Sequence, residues 1–348
     1  MLTLHTEFDD VWQNDFVMLM DNLSKIGKSP PPSVGETSKE LIYSENKLRL
    51  FRYFPLDVKQ KKTPLLITYA LVNRPFIVDL EPKRSLILRL LEQGQPVYLI
   101  DWGYPDSSDC FTSLNDYING YMERCIQRIK RKTTRTRIDL MGICQGGVFS
   151  LCYTALHPKN IRKLVTLVTP IDFHTKDNSL GLWTNGIHNH TLSGPSANVP
   201  GELIAQLFKT LKPFLLNRDK YRKIKHLVSK KENLDTFLRM EKWLNNGPDL
   251  AGLAAGEFLA DFYQQNRLHN NTLSINGESV CLKKISCPVF NLYATQDHIV
   301  PPDSARALCQ HIKAKLYEEA PLNGGHIGAF ISPKTQRTLV SKLMNWLD

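Results

Sequence analysis

With 348 residues, 42% hydrophobic and 22% charged, the chain is long and apolar enough for one large folded domain carrying an insertion, which excludes a disordered chain. Its seven cysteines are odd in number and form no C-x-x-C pair, which argues against a disulfide framework or a zinc site. The formal net charge of +10 points to an anionic partner: nucleic acid, a membrane surface or a phosphate-bearing substrate.

Residues 7–28 show Phe8, Val11, Trp12, Phe16, Leu19 and Leu23 at helical spacing, and Pro30-Pro31-Pro32 ends that pattern in a stiff link. Residues 1–10 have neither the basic n-region nor the apolar core of a signal peptide. No apolar run approaches the roughly 20 residues of a membrane span, so the expected location is the cytoplasm. Residues 41–43 and 48–54 flank a Ser44-Glu45-Asn46 turn and predict a hairpin. Then come a short apolar strand at 65–69, a helix over 85–93 stopped by Gly94, and a strand at 97–100. A long helix is expected over 113–132, with Ser113 as N-cap and Asp116 completing a capping pair. A strand at 138–141, a helix over 146–157 and a strand at 164–168 follow.

The alternation stops near Ile171. Residues 172–280 carry helical patterns, notably 200–216 and 234–244, and no buried strand. It resumes with a strand over 288–294, a helix over 303–312, a short strand near 315–317 and a final helix over 335–346. Apolar strands alternating with helices imply a mostly parallel sheet covered on both faces. The organisation read from this is an N-terminal helix and Pro-rich link (1–35), an α/β core (36–171 and 281–348) and a mostly helical cap (172–280).

Gly142-Ile143-Cys144-Gln145-Gly146-Gly147 lies between a strand and a helix and fits G-x-C-x-G, a nucleophile elbow with cysteine in place of serine. Such a turn is sharp, and the flanking glycines remove Cβ atoms that would strike neighbouring backbone. It lifts the sulfur above the sheet at a helix N-terminus, where the dipole favours thiolate, and aims the Gln145 N–H at a developing oxyanion. Cys152, on the helix that follows, reads as core.

In the α/β-hydrolase fold the nucleophile is followed in chain order by an acid and then a histidine, each on a loop after a strand. Asp297 is the first carboxylate after the strand ending at Ala294, and His326 lies in the glycine-rich Asn323-Gly324-Gly325-His326 turn. His326 would take the proton of Cys144, and Asp297 would fix its tautomer. His298, adjacent to the acid, is a competitor for the base, poorly placed on so short a loop. The second oxyanion donor belongs to the loop Tyr69-Ala70-Leu71-Val72-Asn73, with Leu71, Val72 and Asn73 left open by the residues alone.

These motifs, with Tyr98-Leu99-Ile100-Asp101-Trp102-Gly103 and Phe262-Tyr263-Gln264-Gln265-Asn266, occur in one order across most of residues 36–348. The chain thereby resembles the catalytic subunit of class III, two-subunit polyhydroxyalkanoate synthases. The resemblance implies Cys144, Asp297 and His326 as the triad and favours Val72 and Gln145 as backbone oxyanion donors. It implies (R)-3-hydroxyacyl-CoA, mainly 3-hydroxybutyryl-CoA, as substrate, a second non-catalytic subunit as partner, a place on cytoplasmic polymer granules, and no cofactor beyond the CoA carried by the substrate. A homodimer is one candidate assembly. Val148 after the elbow and Ala329-Phe330 after the histidine motif depart from the family pattern without touching a triad position.

Arg218, Lys220, Arg222, Lys223 and Lys225 in the cap are candidates for the CoA phosphates, against the alternative of a solvated helix face. The basic run 128–137 carries no interleaved aromatics, so no nucleic-acid partner is expected. Two rival functions stand beside this one: a cysteine hydrolase or thioesterase using the same triad in an open site, and a non-enzymatic protein that coats granules or binds nucleic acid through its basic segments.

Overall fold

The computed structural model describes residues 32–184, 197–210 and 231–348. The N-terminal helical pattern 7–28, and Arg218, Lys220, Arg222, Lys223 and Lys225, lie outside the described residues.

Eight strands form one sheet: β1 (Lys39–Glu45), β2 (Leu48–Tyr53), β3 (Leu65–Thr68), β4 (Val97–Asp101), β5 (Ile138–Ile143), β6 (Ile161–Leu167), β9 (Val289–Ala294) and β10 (Tyr317–Leu322), in spatial order β1-β2-β4-β3-β5-β6-β9-β10. The β1–β2 hairpin and the β2–β4 pair are antiparallel, and every other pair is parallel. Strands β3, β4 and β5 are buried at every residue, as central parallel strands covered on both faces must be.

Alternate strand residues feed two separate cores. On one face Leu66, Tyr98 and Leu140 pack with Ile126 and Ile129 of helix α2 (Glu123–Thr133) and Leu151 of helix α3 (Gln145–Leu156). On the other, Leu65, Ile67, Leu99 and Met141 pack with Leu86 and Leu90 of helix α1 (Leu86–Glu92) and with Leu339 and Leu343 of the C-terminal helix (Pro333–Leu347).

Local signals set several boundaries. Ser85 Oγ accepts the Leu88 N–H at 2.9 Å and starts α1. Gly94 ends that stretch at φ +71°, where a Cβ would fall 2.1 Å from the Lys59 carbonyl oxygen. Ser113 and Asp116 cap each other's backbone, with the Ser113 N–H on Asp116 Oδ2 at 2.8 Å and the Asp116 N–H on Ser113 Oγ at 3.1 Å.

One expectation needs correction, and two others gain detail. The helix that opens there begins with a π-helical stretch, Asp116–Met122, before α2. The last strand is not the short piece near 315–317: residues 314–316 form a 3-10 turn and β10 runs over Tyr317–Leu322, an edge strand whose Glu318, Glu319 and Pro321 read as a loop in sequence. The region read as holding no buried strand carries one small hairpin, β7 (Ser274–Ile275) and β8 (Glu278–Ser279), in which Ile275 alone is buried. The helices described between β6 and β9 include α4 (Ser179–Thr184), α5 (Gly201–Thr210), α6 (Lys231–Asn245) and α7 (Gly252–Phe258), joined by loops and turns.

The parallel strands all point their C-terminal ends one way, so the loops after β3, β5, β9 and β10 share one end of the sheet.

Candidate active site

Cys144 sits between β5 and α3 at φ +56°, ψ −126°. A non-glycine residue in that region costs about 1–3 kcal/mol and persists only where its surroundings enforce it. The enforcement is steric. A Cβ on Gly142 would lie 2.4 Å from the Gly147 Cα, one on Gly146 would lie 2.4 Å from the Thr68 carbonyl oxygen, and one on Gly147 would lie 1.9 Å from Thr169 Oγ1. The Cys144 N–H is held by the Leu167 carbonyl at 2.9 Å. The thiol itself stays half-buried, while Cys110, Cys125, Cys152 and Cys287 are buried. Burial pushes the Cys152 and Cys125 thiols far up, and that of Cys287 up to about 12, so these three are poor thiolates.

His326 and Asp297 meet where the loops after β10 and β9 converge. His326 Nδ1 lies 2.7 Å from Asp297 Oδ2, and both side chains are buried. Asp297 Oδ1 accepts the backbone N–H groups of Ile299 and Val300, each at 2.9 Å. Burial alone would push the His326 imidazole down. The charges of Asp297 and Cys144, and hydrogen bonds to both, overcome it and raise His326 to about 10. Asp297 and the Cys144 sulfur thus both act on the His326 ring. His298 lines the same cavity but is not the residue that Asp297 Oδ2 holds at 2.7 Å.

Gln145 is the first residue of α3, and the leading N–H groups of a helix have no partner within it. Its backbone N–H is therefore available beside the sulfur. Of the three open choices for the second donor, the structure removes one: the Leu71 N–H is taken by Gln145 Oε1 at 2.9 Å. Val72 and Asn73 remain, and both line the cavity. The loop that carries them is held elsewhere too. Trp102 Nε1 donates to the Tyr69 carbonyl at 2.8 Å, Arg74 Nη2 pairs with Asp101 Oδ2 at 2.8 Å, and Trp243 Nε1 from α6 donates to the Arg74 carbonyl at 2.9 Å.

Cys144, His326 and Val72 open into a cavity of about 320 Å³. Phe208 from α5 and Met240, Trp243 and Leu244 from α6 wall it from the insertion side, so a largely apolar cap faces the sulfur. Lys209 is the lysine on its wall, with Nζ 2.7 Å from Asn245 Oδ1. Tyr69 is buried and Tyr263 half-buried, both close enough to the sulfur that, after burial itself, the Cys144 charge pushes their hydroxyls up. Asn266, at the end of the Phe262–Asn266 motif, ties the two ends of the insertion: its Oδ1 accepts the Phe173 N–H at 3.0 Å and its Nδ2 donates to Asp172 Oδ1 at 2.7 Å. Among the described residues no group of His, Cys, Asp and Glu is arranged to hold a metal ion.

Sequence reasoning missed the Gln145 side chain and the Trp243 anchor. A signal for the second existed: a tryptophan in an apolar helix face needs a partner for its indole N–H.

The chain is similar to known proteins over nearly its whole length. A family model described as "alpha/beta hydrolase fold" matches residues 64–333, and one described as "Poly-beta-hydroxybutyrate polymerase (PhaC) N-terminus" matches residues 12–90. The poly(3-hydroxyalkanoate) polymerase subunit PhaC of Thiocystis violacea is 43% identical over 338 residues, covering 95% of each chain. That of Allochromatium vinosum is 45% identical, covering 90% of this chain and 89% of the relative. That of Synechocystis is 39% identical, covering 99% and 92%. Among solved structures, a carboxylesterase of Nitrososphaera gargenis aligns with TM-score 0.53 at 17% identity, covering 88% of this chain and 97% of that one, a likeness of fold.

Proposed function

The chain belongs to the poly(3-hydroxyalkanoate) polymerase family, a family of acyltransferases, and from that premise we propose that it polymerises (R)-3-hydroxyacyl-CoA, chiefly 3-hydroxybutyryl-CoA, through an acyl intermediate on Cys144. The observation that carries the proposal is the convergence of a strained, half-buried Cys144, a His326 already fixed by Asp297, and the free end of α3 on one cap-covered cavity.

In the first step the Cys144 thiolate attacks the thioester carbonyl. The oxyanion is received by the backbone N–H groups of Gln145 and Val72. As the carbonyl re-forms, the C–S bond to CoA breaks and the His326 imidazolium protonates the departing thiolate. One thioester replaces another, so the acyl group stays activated, which a serine ester would not achieve as well.

Acylation also removes the sulfur's negative charge. Two of the influences that hold the proton on His326, the Cys144 charge and its hydrogen bond, vanish with it. The imidazole is then free to act as base. It takes the proton of an incoming 3-hydroxyl group, the alkoxide attacks the acyl-cysteine carbonyl, an oxoester forms, and the Cys144 thiolate leaves. Water must be kept from the acyl-cysteine, and the apolar cap side chains Phe208, Met240 and Leu244 serve that end. No cofactor enters these steps, and CoA leaves as a product.

The chain works as the catalytic member of a two-subunit synthase on polymer granules in the cytoplasm. Among the described residues no helix is long and apolar enough to cross a membrane. Arg218, Lys220, Arg222, Lys223 and Lys225 remain the proposed contacts for the CoA phosphates. A partner that binds only the open cap would raise activity by shifting the balance between closed and open forms, without adding a group to the site.

The test is the purified chain with 3-hydroxybutyryl-CoA, with and without the second subunit, following CoA release, polymer and the acylated residue. Polymer formation with the adduct on Cys144 is expected. Free 3-hydroxybutyrate as the main product would make the chain a thioesterase, and an adduct on another cysteine would overturn the nucleophile.

A further inference from the structure

We propose that the Gln145 side chain is a positioning residue for the oxyanion hole, tying the loop that carries the second donor to the residue that carries the first. The inference rests on the acyl-cysteine reading above.

An oxyanion hole works only if two donors converge on one point, each within about 2.7–3.1 Å of the developing charge. Here the donors come from elements far apart in sequence. The first is the Gln145 N–H, fixed by α3. The second lies on the loop after β3, which has no secondary structure of its own at residues 69–70 and bends at 71–73. A displacement of that loop by a fraction of a hydrogen-bond length would leave one donor out of range.

Beside the Arg74 side chain, three hydrogen bonds to the loop backbone locate it, and they do different things. Trp102 holds its first carbonyl, that of Tyr69, and Trp243 holds the Arg74 carbonyl near its far end. Only the bond from the Leu71 N–H to Gln145 Oε1, at 2.9 Å, joins the loop to the donor-bearing residue itself. It spans 74 positions of sequence and closes next to Val72. Gln145 is only 6% exposed, so water does not compete for the bond. The same bond occupies the Leu71 N–H and leaves Val72 and Asn73, both on the cavity wall, to supply the second donor. A residue that merely filled space behind the elbow would need no acceptor at that point.

The consequence is specific. Loss of the Gln145 carbonyl should weaken binding of the oxyanion more than binding of the ground state. Two CoA analogues separate these. A fluoroketone, with CF2 in place of the thioester sulfur, accepts the Cys144 thiolate at its carbonyl: one C–S bond forms, the carbonyl electron pair becomes an alkoxide, and nothing leaves. A thioether analogue lacks the carbonyl and reports ground-state binding alone.

For Gln145→Met, which keeps the length and removes the acceptor, the fluoroketone should bind about 10–100-fold more weakly, part of the loss seen when an oxyanion donor is deleted outright. Thioether affinity should stay near wild type, and the thermal melt should fall only by the modest cost of the unpaired Leu71 N–H. If Gln145→Met does not fold, Gln145→Ala carries the same comparison. A parallel loss of both affinities would mean a structural role only, and no loss of either would mean no role; both overturn the proposal. Failure of the wild type itself to prefer the fluoroketone would instead overturn the acyl-cysteine reading on which the proposal rests.

Discussion

Asp297 divides its carboxylate between two partners: Oδ2 lies 2.7 Å from His326 Nδ1, while Oδ1 accepts the N–H groups of Ile299 and Val300 at 2.9 Å each. An asparagine could keep the Oδ1 bonds and so preserve the loop. Its amide would then face Nδ1 as a donor, force that nitrogen to accept, and place the ring proton on the nitrogen that should receive one. Asp297→Asn should therefore still fold, melting lower by the share of stability that the charged His326 pair supplies, and lose on the order of 10⁴ in kcat, the cost of a wrong tautomer in a triad. Steady-state CoA release and a thermal melt check it. A turnover close to wild type in a folded variant would remove Asp297 from the triad.

The His326 proton gives a second prediction. Burial opposes the charged ring, and the Asp297 and Cys144 charges, with their hydrogen bonds, raise it to about 10. A pKa raised in the folded state stabilises the fold fully below the unfolded histidine value of about 6.5 and is lost as pH rises through about 10. The wild type should thus melt progressively lower between those limits, and His326→Gln should flatten that trend. Cys144→Ala should lower the His326 pKa, because two of its supports vanish. Ring-carbon NMR of labelled histidine, titrated in both proteins, reads the shift directly; an unmoved titration would mean that the sulfur does not face the ring.

Much of the site is legible in sequence because it is written in sterics and topology. Gly142, Gly146 and Gly147 are glycines since each has backbone or a buried side chain where a Cβ would go. Asp297 and His326 follow β9 and β10, so the order of the parallel strands brings their loops to the end where Cys144 stands. The rest is illegible for equally physical reasons. β10 is an edge strand, and its Glu318, Glu319 and Pro321 hide it from any search for apolar runs. The Gln145–Leu71 and Trp243–Arg74 bonds join residues 74 and 169 positions apart, and no local pattern encodes such pairs.

Gly146→Ala tests the link between elbow and oxyanion loop. The added Cβ would fall 2.4 Å from the Thr68 carbonyl oxygen and 2.7 Å from that of Tyr69, backbone atoms at the point where β3 becomes the loop. Relief requires α3 and the loop to separate. Overpacking of this kind costs about 1–3 kcal/mol of stability. The loss in kcat should exceed what instability explains at a temperature where the variant remains folded, and CoA release compared with circular dichroism at that temperature decides it. Activity at the wild-type level in the folded fraction would show that the loop position tolerates the shift.

The last prediction concerns how the cap keeps water out. Trp243 is 5% exposed, lines the cavity, and donates its indole N–H to the Arg74 carbonyl at 2.9 Å. It is both a wall of the site and the fastening of α6 to the oxyanion loop. Trp243→Phe keeps an aromatic wall but leaves a buried carbonyl without its donor, which costs about 1–3 kcal/mol. That cost falls on the seated cap and not on the core, since the two strands that carry Cys144 and Asp297 make no use of the bond. The cap should seat less firmly, and water should reach the acyl-cysteine more often. CoA release need not fall, because attack on the thioester precedes the step that water spoils. The expected signature is a changed product ratio: more free 3-hydroxyacid and less polymer per CoA released, with the melting temperature only modestly reduced. Chromatography of the acid against gravimetry or turbidity of the polymer measures it. An unchanged ratio, with the Trp243→Phe protein folded and releasing CoA normally, would mean that the cap excludes water without this fastening.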